Sequence, residues 1–111
     1  MKIEFDGKTA IVTGAGSGLG AAIARELAAS GATVVLADRN KDAADEVAKE
    51  LSALGQSAYP FEVDVSNPQD VEALVAFAQK KTGNLYLLVN NAGIDGVHAT
   101  PGDYPIDSWR R

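Results

Sequence analysis

Between Gly14 and Gly20 the chain places four glycines in seven residues. An apolar, β-branched run precedes them and an alanine-rich segment follows. The run Ala10-Ile11-Val12 reads as a strand buried on both faces. Leu19, Ile23 and Leu27 recur every four residues, as on one helix face. Strand, glycine turn and helix in that order form a cradle for phosphate. Residues without a Cβ allow a tight turn, close approach of a ligand, and close packing of helix on strand. Free N–H groups in the helix's first turn, at the positive end of its dipole, suit a pyrophosphate. A strict G-x-G-x-x-G does not fit, because the frame from Gly14 ends on Leu19 and the frame from Gly16 on Ala21. The pattern T-G-x-x-x-G-x-G fits fully, on Thr13, Gly14, Gly18 and Gly20.

The rest of the chain repeats the strand-then-helix alternation. Residues 1–7 form a polar lead-in with a turn at Asp6-Gly7. The first strand covers Thr9 to Val12, and the first helix runs from about Leu19 to Ser30, stopped by Gly31. Thr33 to Ala37 is a second buried strand. A second helix follows over about Lys41 to Leu54, with Ala44, Val47, Ala48, Leu51 and Leu54 as its apolar stripe. Ser57 to Val63 is a third strand, and Pro60 inside it favours a sheet edge. Ser66 with Gln69 reads as a capping box for a third helix, Pro68 to about Lys81, burying Val71, Leu74, Val75 and Ala78. Leu85 to Val89 is a fourth buried strand. Residues 94–111 read as an irregular tail or the start of a further helix near Ile106 to Trp109. The order β-α-β-α-β-α-β predicts one three-layer α/β/α domain of Rossmann type over residues 1–111, with a parallel sheet.

Composition narrows the partners. A formal net charge of -5 and scattered basic residues argue against nucleic acid. The chain has no cysteine, which removes disulfides, thiolate metal ligands and a cysteine nucleophile, and is compatible with a reducing, cytoplasmic setting. The longest apolar run of strand type, Leu85 to Val89, is far too short to span a bilayer. The N-terminus carries no apolar core of signal-peptide length, so the chain reads as soluble and unprocessed. The carboxylates show no metal-ligand spacing, and the lone His98 sits in a turn-rich loop with no evident partner.

In an open parallel sheet, ligands bind beyond the carboxyl ends of the strands. Four segments follow four strands here: Gly14–Gly20, Asp38-Arg39, Asp64-Val65 and Asn90-Asn91-Ala92-Gly93. They line one edge. Asp38 lies 18 residues beyond Gly20, where an acidic side chain accepts hydrogen bonds from an adenosine ribose. A carboxylate there repels a 2′-phosphate and favours NAD, whereas Arg39 beside it can pair with that phosphate and keeps NADP as the less favoured alternative. Asp64 either holds an adenine amino group or serves as a carboxylate near a helix start. Asn90 and Asn91 can satisfy backbone groups between strands, and Gly93 permits close approach of a cofactor.

Together these residues resemble the short-chain dehydrogenase/reductase family. The resemblance rests on Thr13-Gly14-x-x-x-Gly18-x-Gly20, Asp38, Asp64-Val65 and Asn90-Asn91-Ala92-Gly93, and covers nearly the whole chain. It implies a Rossmann-type domain, binding of NAD(H) or NADP(H), and hydride transfer to or from an alcohol or carbonyl carbon. By the same resemblance, Gly14, Ser17, Gly18, Leu19 and Gly20 surround the pyrophosphate, and Asp38 holds the ribose. Asp64 and Val65 take the adenine, and Asn90, Asn91, Ala92 and Gly93 meet the cofactor's central part.

The family catalyses with a serine and a Tyr-x-x-x-Lys pair, assisted by an asparagine. Here Tyr59, Tyr86 and Tyr104 are followed four residues on by Val63, Asn90 and Ser108, none of them lysine. A cofactor-binding portion without the proton-transfer groups is therefore expected, inactive by itself. The alternatives are a nucleotide-binding module without turnover and a self-associating structural fragment. Self-association is expected through the apolar edge of the fourth strand.

Overall fold

The computed structural model describes residues 5–91. The expectations for Ala92, Gly93, His98, Tyr104 and the 94–111 segment lie outside the described residues. Seven elements alternate: β1 Thr9–Thr13, α1 Gly18–Ala29, β2 Thr33–Asp38, α2 Lys41–Ala53, β3 Ala58–Glu62, α3 Pro68–Thr82 and β4 Leu85–Val89. The strands form one sheet in the order β3-β2-β1-β4, and every pairing is parallel. This is a Rossmann-like α/β fold.

The period-two alternation of each strand divides the core between the two sheet faces. Ala10, Val12, Val34 and Leu36 pack with Ala21, Ala24 and Leu27 of α1 and with Ala44, Val47 and Leu51 of α2. On the opposite face Ile11, Val35 and Ala37 pack with Leu74 and Ala78 of α3. All five residues of β1 are buried, as its two-sided apolar run requires. Pro60 lies in β3 at the sheet edge, where a missing N–H donor is tolerated.

Some local expectations give way to tertiary geometry. β4 is half-buried rather than buried, because among the described residues it pairs only with β1; its Tyr86 is 54% exposed. Leu54 is exposed because α2 ends at Ala53, so the last leucine of the stripe falls on the helix's C-cap. Leu19 is 61% exposed, whereas Leu27 is buried and Ile23 packs on the core, and the rest of the inward face of α1 is small: Gly20, Ala21, Ala24 and Ala28. In α3 only Leu74 and Ala78 are fully buried, with Val71 and Val75 half-buried. The capping box on Ser66 does not form. Asn67 is the N-cap of α3, its Oδ1 accepting from the N–H groups of Gln69 at 2.9 Å and Asp70 at 3.4 Å. Ser66 is drawn away by Asp64.

Candidate cofactor site

β1 ends at Thr13 and the chain reverses through Gly14, whose φ of +63° is a left-handed conformation that suits glycine. Ser17 is the N-cap of α1, yet its side chain accepts no hydrogen bond from the helix, and no acidic residue stands in the first turn. The other two helices differ. Asn40 caps α2 and Asn67 caps α3, and each first turn holds an aspartate, Asp42 and Asp70 respectively. Among the described residues, only the helix after the glycine turn therefore leaves its positive end free of side-chain acceptors and acids. Gly20 lies against the turn itself. A Cβ there would run into the carbonyl oxygen of Gly14 and stand 2.8 Å from Asn91 Nδ2. This is the close helix-on-strand approach that the spacing predicts.

The neighbouring strands meet the turn from both sides. From β2, Asp38 Oδ2 accepts a 2.8 Å hydrogen bond from the Gly16 N–H, and its Oδ1 accepts one of 2.9 Å from Asn40 N–H. From β4, Asn91 Nδ2 donates to Gly14 O at 3.4 Å. Thr13 Oγ1 donates to Val89 O and to Asn90 Oδ1, each at 3.3 Å. Asn90 and Asn91 thus tie β4 to the end of β1, as their chemistry suggests.

Asp64 follows β3, which is joined to the end of β2 by a 3.0 Å bond from Val63 N–H to Asp38 O. Its Oδ1 accepts from Ser66 Oγ at 2.6 Å and from Ser66 N–H at 2.9 Å. The Ser66 hydroxyl first, then the Ser66 N–H, hold the Asp64 carboxyl below its usual range; burial opposes them and the Arg39 charge adds a smaller push downward. Arg39 therefore acts on Asp64 across the β2–β3 end of the site. Val65 is half-buried and packs on the α3 side of the sheet.

Asp38 thus meets the turn at Gly16, Asn91 meets it at Gly14, and Asn90 meets Thr13 just before it. Residues 8–111 match the family model described as short chain dehydrogenase. The chain belongs to the short-chain dehydrogenase family. It is 44% identical over 109 residues to the 7alpha-hydroxysteroid dehydrogenase of Escherichia coli, a match spanning 98% of this chain and 42% of that protein. It is 41% identical over 111 residues to the cyclohexanol dehydrogenase of Acinetobacter, covering 100% of this chain and 44% of the relative. The chain thus spans less than half the length of these curated relatives. Among solved structures, a hydroxysteroid dehydrogenase from Escherichia coli superposes with a TM-score of 0.78 at 44% identity, over 97% of this chain and 45% of that one. A short-chain dehydrogenase/reductase from Burkholderia phymatum, solved in complex with NAD, superposes with a TM-score of 0.73 at 42% identity, over 78% of this chain and 31% of that one.

Two contacts of this short-chain dehydrogenase domain lie beyond the sequence patterns. One is Gly16, which the T-G-x-x-x-G-x-G pattern leaves free but which touches Asp38. The signal available was a glycine the motif does not require. The other is the Asp64–Ser66 pair, hidden because Ser66 also fits a capping box. An open groove of about 490 Å³ lies between α2 and β3, lined by Ala48, Ser52 and Pro60 among others, and none of the expected site residues borders it. Among the described residues no group of histidine and carboxylate side chains could hold a metal ion, and no helix is long and apolar enough to cross a membrane.

Proposed function

We propose that residues 1–111 form the NAD(H)-binding portion of a short-chain dehydrogenase, serving hydride transfer between the nicotinamide and an alcohol or carbonyl substrate. One observation carries this reading: the Asp38 carboxylate meets the glycine turn at Gly16, beside the start of α1, whose N-cap side chain makes no cap bond. The α1 first turn, with Gly14, Ser17, Gly18, Leu19 and Gly20, binds the pyrophosphate through N–H groups and the helix dipole. Asp38 accepts from the adenosine ribose hydroxyls, and Asp64 and Val65 border the adenine. Asn90, Asn91, Ala92 and Gly93 border the central part of the cofactor. The bound nicotinamide supplies the hydride chemistry.

NAD is favoured over NADP because a 2′-phosphate would approach the Asp38 charge. Arg39 is the group that could offset this. No catalytic residue is assigned within residues 1–111, which contain no Tyr-x-x-x-Lys. Proton transfer to the substrate oxygen needs such a group, so the chain alone binds without turning over. The same reading includes a cytoplasmic setting and self-association through β4.

Calorimetric titration of the purified chain with NAD and with NADP tests the proposal. NAD is expected to bind more tightly, and Asp38→Ala to weaken it by about tenfold or more, the worth of a hydrogen bond to a charged group. Absence of heat and of thermal shift with both cofactors would leave only the structural reading. Unchanged NAD affinity in Asp38→Ala would remove the ribose assignment.

A further inference from the structure

We infer that Gly16 is the positioning residue that gives the Asp38 carboxylate its selectivity at the ribose end of the site. The inference rests on the NAD reading above and extends it to a residue outside the glycine motif. A Cβ built on Gly16 would stand 2.9 Å from Asp38 Oδ2 and 2.6 Å from the Cβ of Ala43 in the first turn of α2. The glycine therefore permits two things at once. It lets Asp38 Oδ2 rest on the Gly16 N–H at 2.8 Å, and it lets α2 lean against the turn. The second carboxylate oxygen is held at 2.9 Å by the N–H of Asn40, and the Asn40 side chain in turn accepts from Ala43 N–H at 3.2 Å. Gly16, Asp38, Asn40 and Ala43 form one interlocked group joining the turn to the start of α2.

The consequence concerns discrimination. A carboxylate oxygen can accept more than one hydrogen bond, so each oxygen keeps acceptor capacity for a ribose hydroxyl while a backbone N–H fixes its place. Such a carboxylate accepts the hydroxyls without reorganising. It also cannot swing aside to make room for a 2′-phosphate, and the like charges stay opposed. A Cβ at position 16 would push Oδ2 off the N–H and free the side chain to rotate. Selectivity for NAD would fall even with Asp38 still present.

The test uses the purified chain and titration calorimetry with NAD and NADP, together with thermal unfolding. Gly16→Ala alone strikes both Asp38 and Ala43. The double variant Gly16→Ala/Ala43→Gly removes the Cβ–Cβ collision and leaves the conflict with Asp38, with a lesser 3.2 Å approach to the residue 43 carbonyl carbon. In both variants the NAD affinity is expected to fall about tenfold, as for one lost charge-assisted hydrogen bond, with NADP affinity falling less. The ratio of the two affinities is the decisive readout, because loss of folded protein lowers both cofactors equally. An unchanged NAD-to-NADP ratio in the double variant, with Asp38→Ala weakening NAD binding, would overturn the role of Gly16 alone. Unchanged NAD binding in Asp38→Ala as well would overturn the ribose assignment on which it rests. A wild-type chain that binds neither cofactor would overturn the cofactor reading and this inference with it.

Discussion

Asp64 carries two possible roles at residue scale, and its contacts bear on both. Its Oδ1 is engaged by the hydroxyl and the N–H of Ser66, which depress its titration below the usual carboxylate range. A group whose folded value lies below its unfolded value adds stability that is complete above the ordinary range. That stability is lost as pH falls through the depressed value. Ser66→Ala removes the larger of the two contacts and leaves the N–H bond, so the Asp64 midpoint is expected to rise part of the way to its ordinary value. The stability gap between this variant and wild type should close as the solution is acidified. A carboxyl NMR titration checks the first statement and urea unfolding at several pH values the second; an unmoved midpoint would refute the assignment. The sequence shows Asp64 and Ser66 two positions apart, but not which neighbour Ser66 serves. A serine before a helix can cap it or turn back onto an aspartate. Asn67, one position on, took the cap, and nothing in local propensity ranks the two strongly.

At the scale of elements, the three helix starts make a comparison within one molecule. Asn67 caps α3 through its side chain, whereas Ser17 stands at the start of α1 and caps nothing. Asn67→Ala is expected to cost about 1 kcal/mol in urea unfolding. Ser17→Ala should leave stability nearly unchanged, since it removes no cap bond; an equal loss in both would contradict the difference between the helices. Gly20 sets two effects against each other. Alanine in a helix gains about 1 kcal/mol over glycine. Against that, the added Cβ meets the Gly14 carbonyl, a backbone atom that cannot rotate away, and overpacking costs about 1–3 kcal/mol. The clash wins, and Gly20→Ala should lower the unfolding midpoint. Most elements were readable because strand runs, glycine stops and alternation agree with one another. The inward face of α1 was not. Leu19, Ile23 and Leu27 suggest a stripe, and Leu27 and Ile23 do pack on the core, but Leu19 is exposed and the helix also presses Gly20, Ala21 and Ala24 inward, close to the turn. Closeness selects small residues, and a hydrophobic pattern does not register them.

At the scale of the whole molecule, the two sheet edges are unlike. β3 carries Pro60, and its Tyr59 and Phe61 rings pack against Phe77 of α3, with the Lys81 ammonium 4.1 Å from the Tyr59 ring and 4.3 Å from that of Phe77. A proline and a charge are devices that discourage further strand pairing. β4 has neither within its span. Its sequence is Leu-Tyr-Leu-Leu-Val, and among the described residues only β1 pairs with it. Lys8 covers the Tyr86 ring at 4.4 Å, and Phe5 packs beside it at 5.7 Å, which shields one end of the strand and not its length. A half-buried apolar strand with an unpaired side is a template for another strand. The purified chain is therefore expected to sediment with a weight that rises with concentration, and charged substitution within β4, Leu87→Lys for example, should suppress the rise if the fold survives. Circular dichroism and thermal unfolding establish that survival, and Tyr86→Lys, on a side chain already exposed, provides a second variant with less risk to the core. The choice of edge is what the pair of variants examines. Suppression by β4 changes but not by Tyr59→Lys on β3 would locate association at β4. A monomer at every concentration would refute self-association altogether.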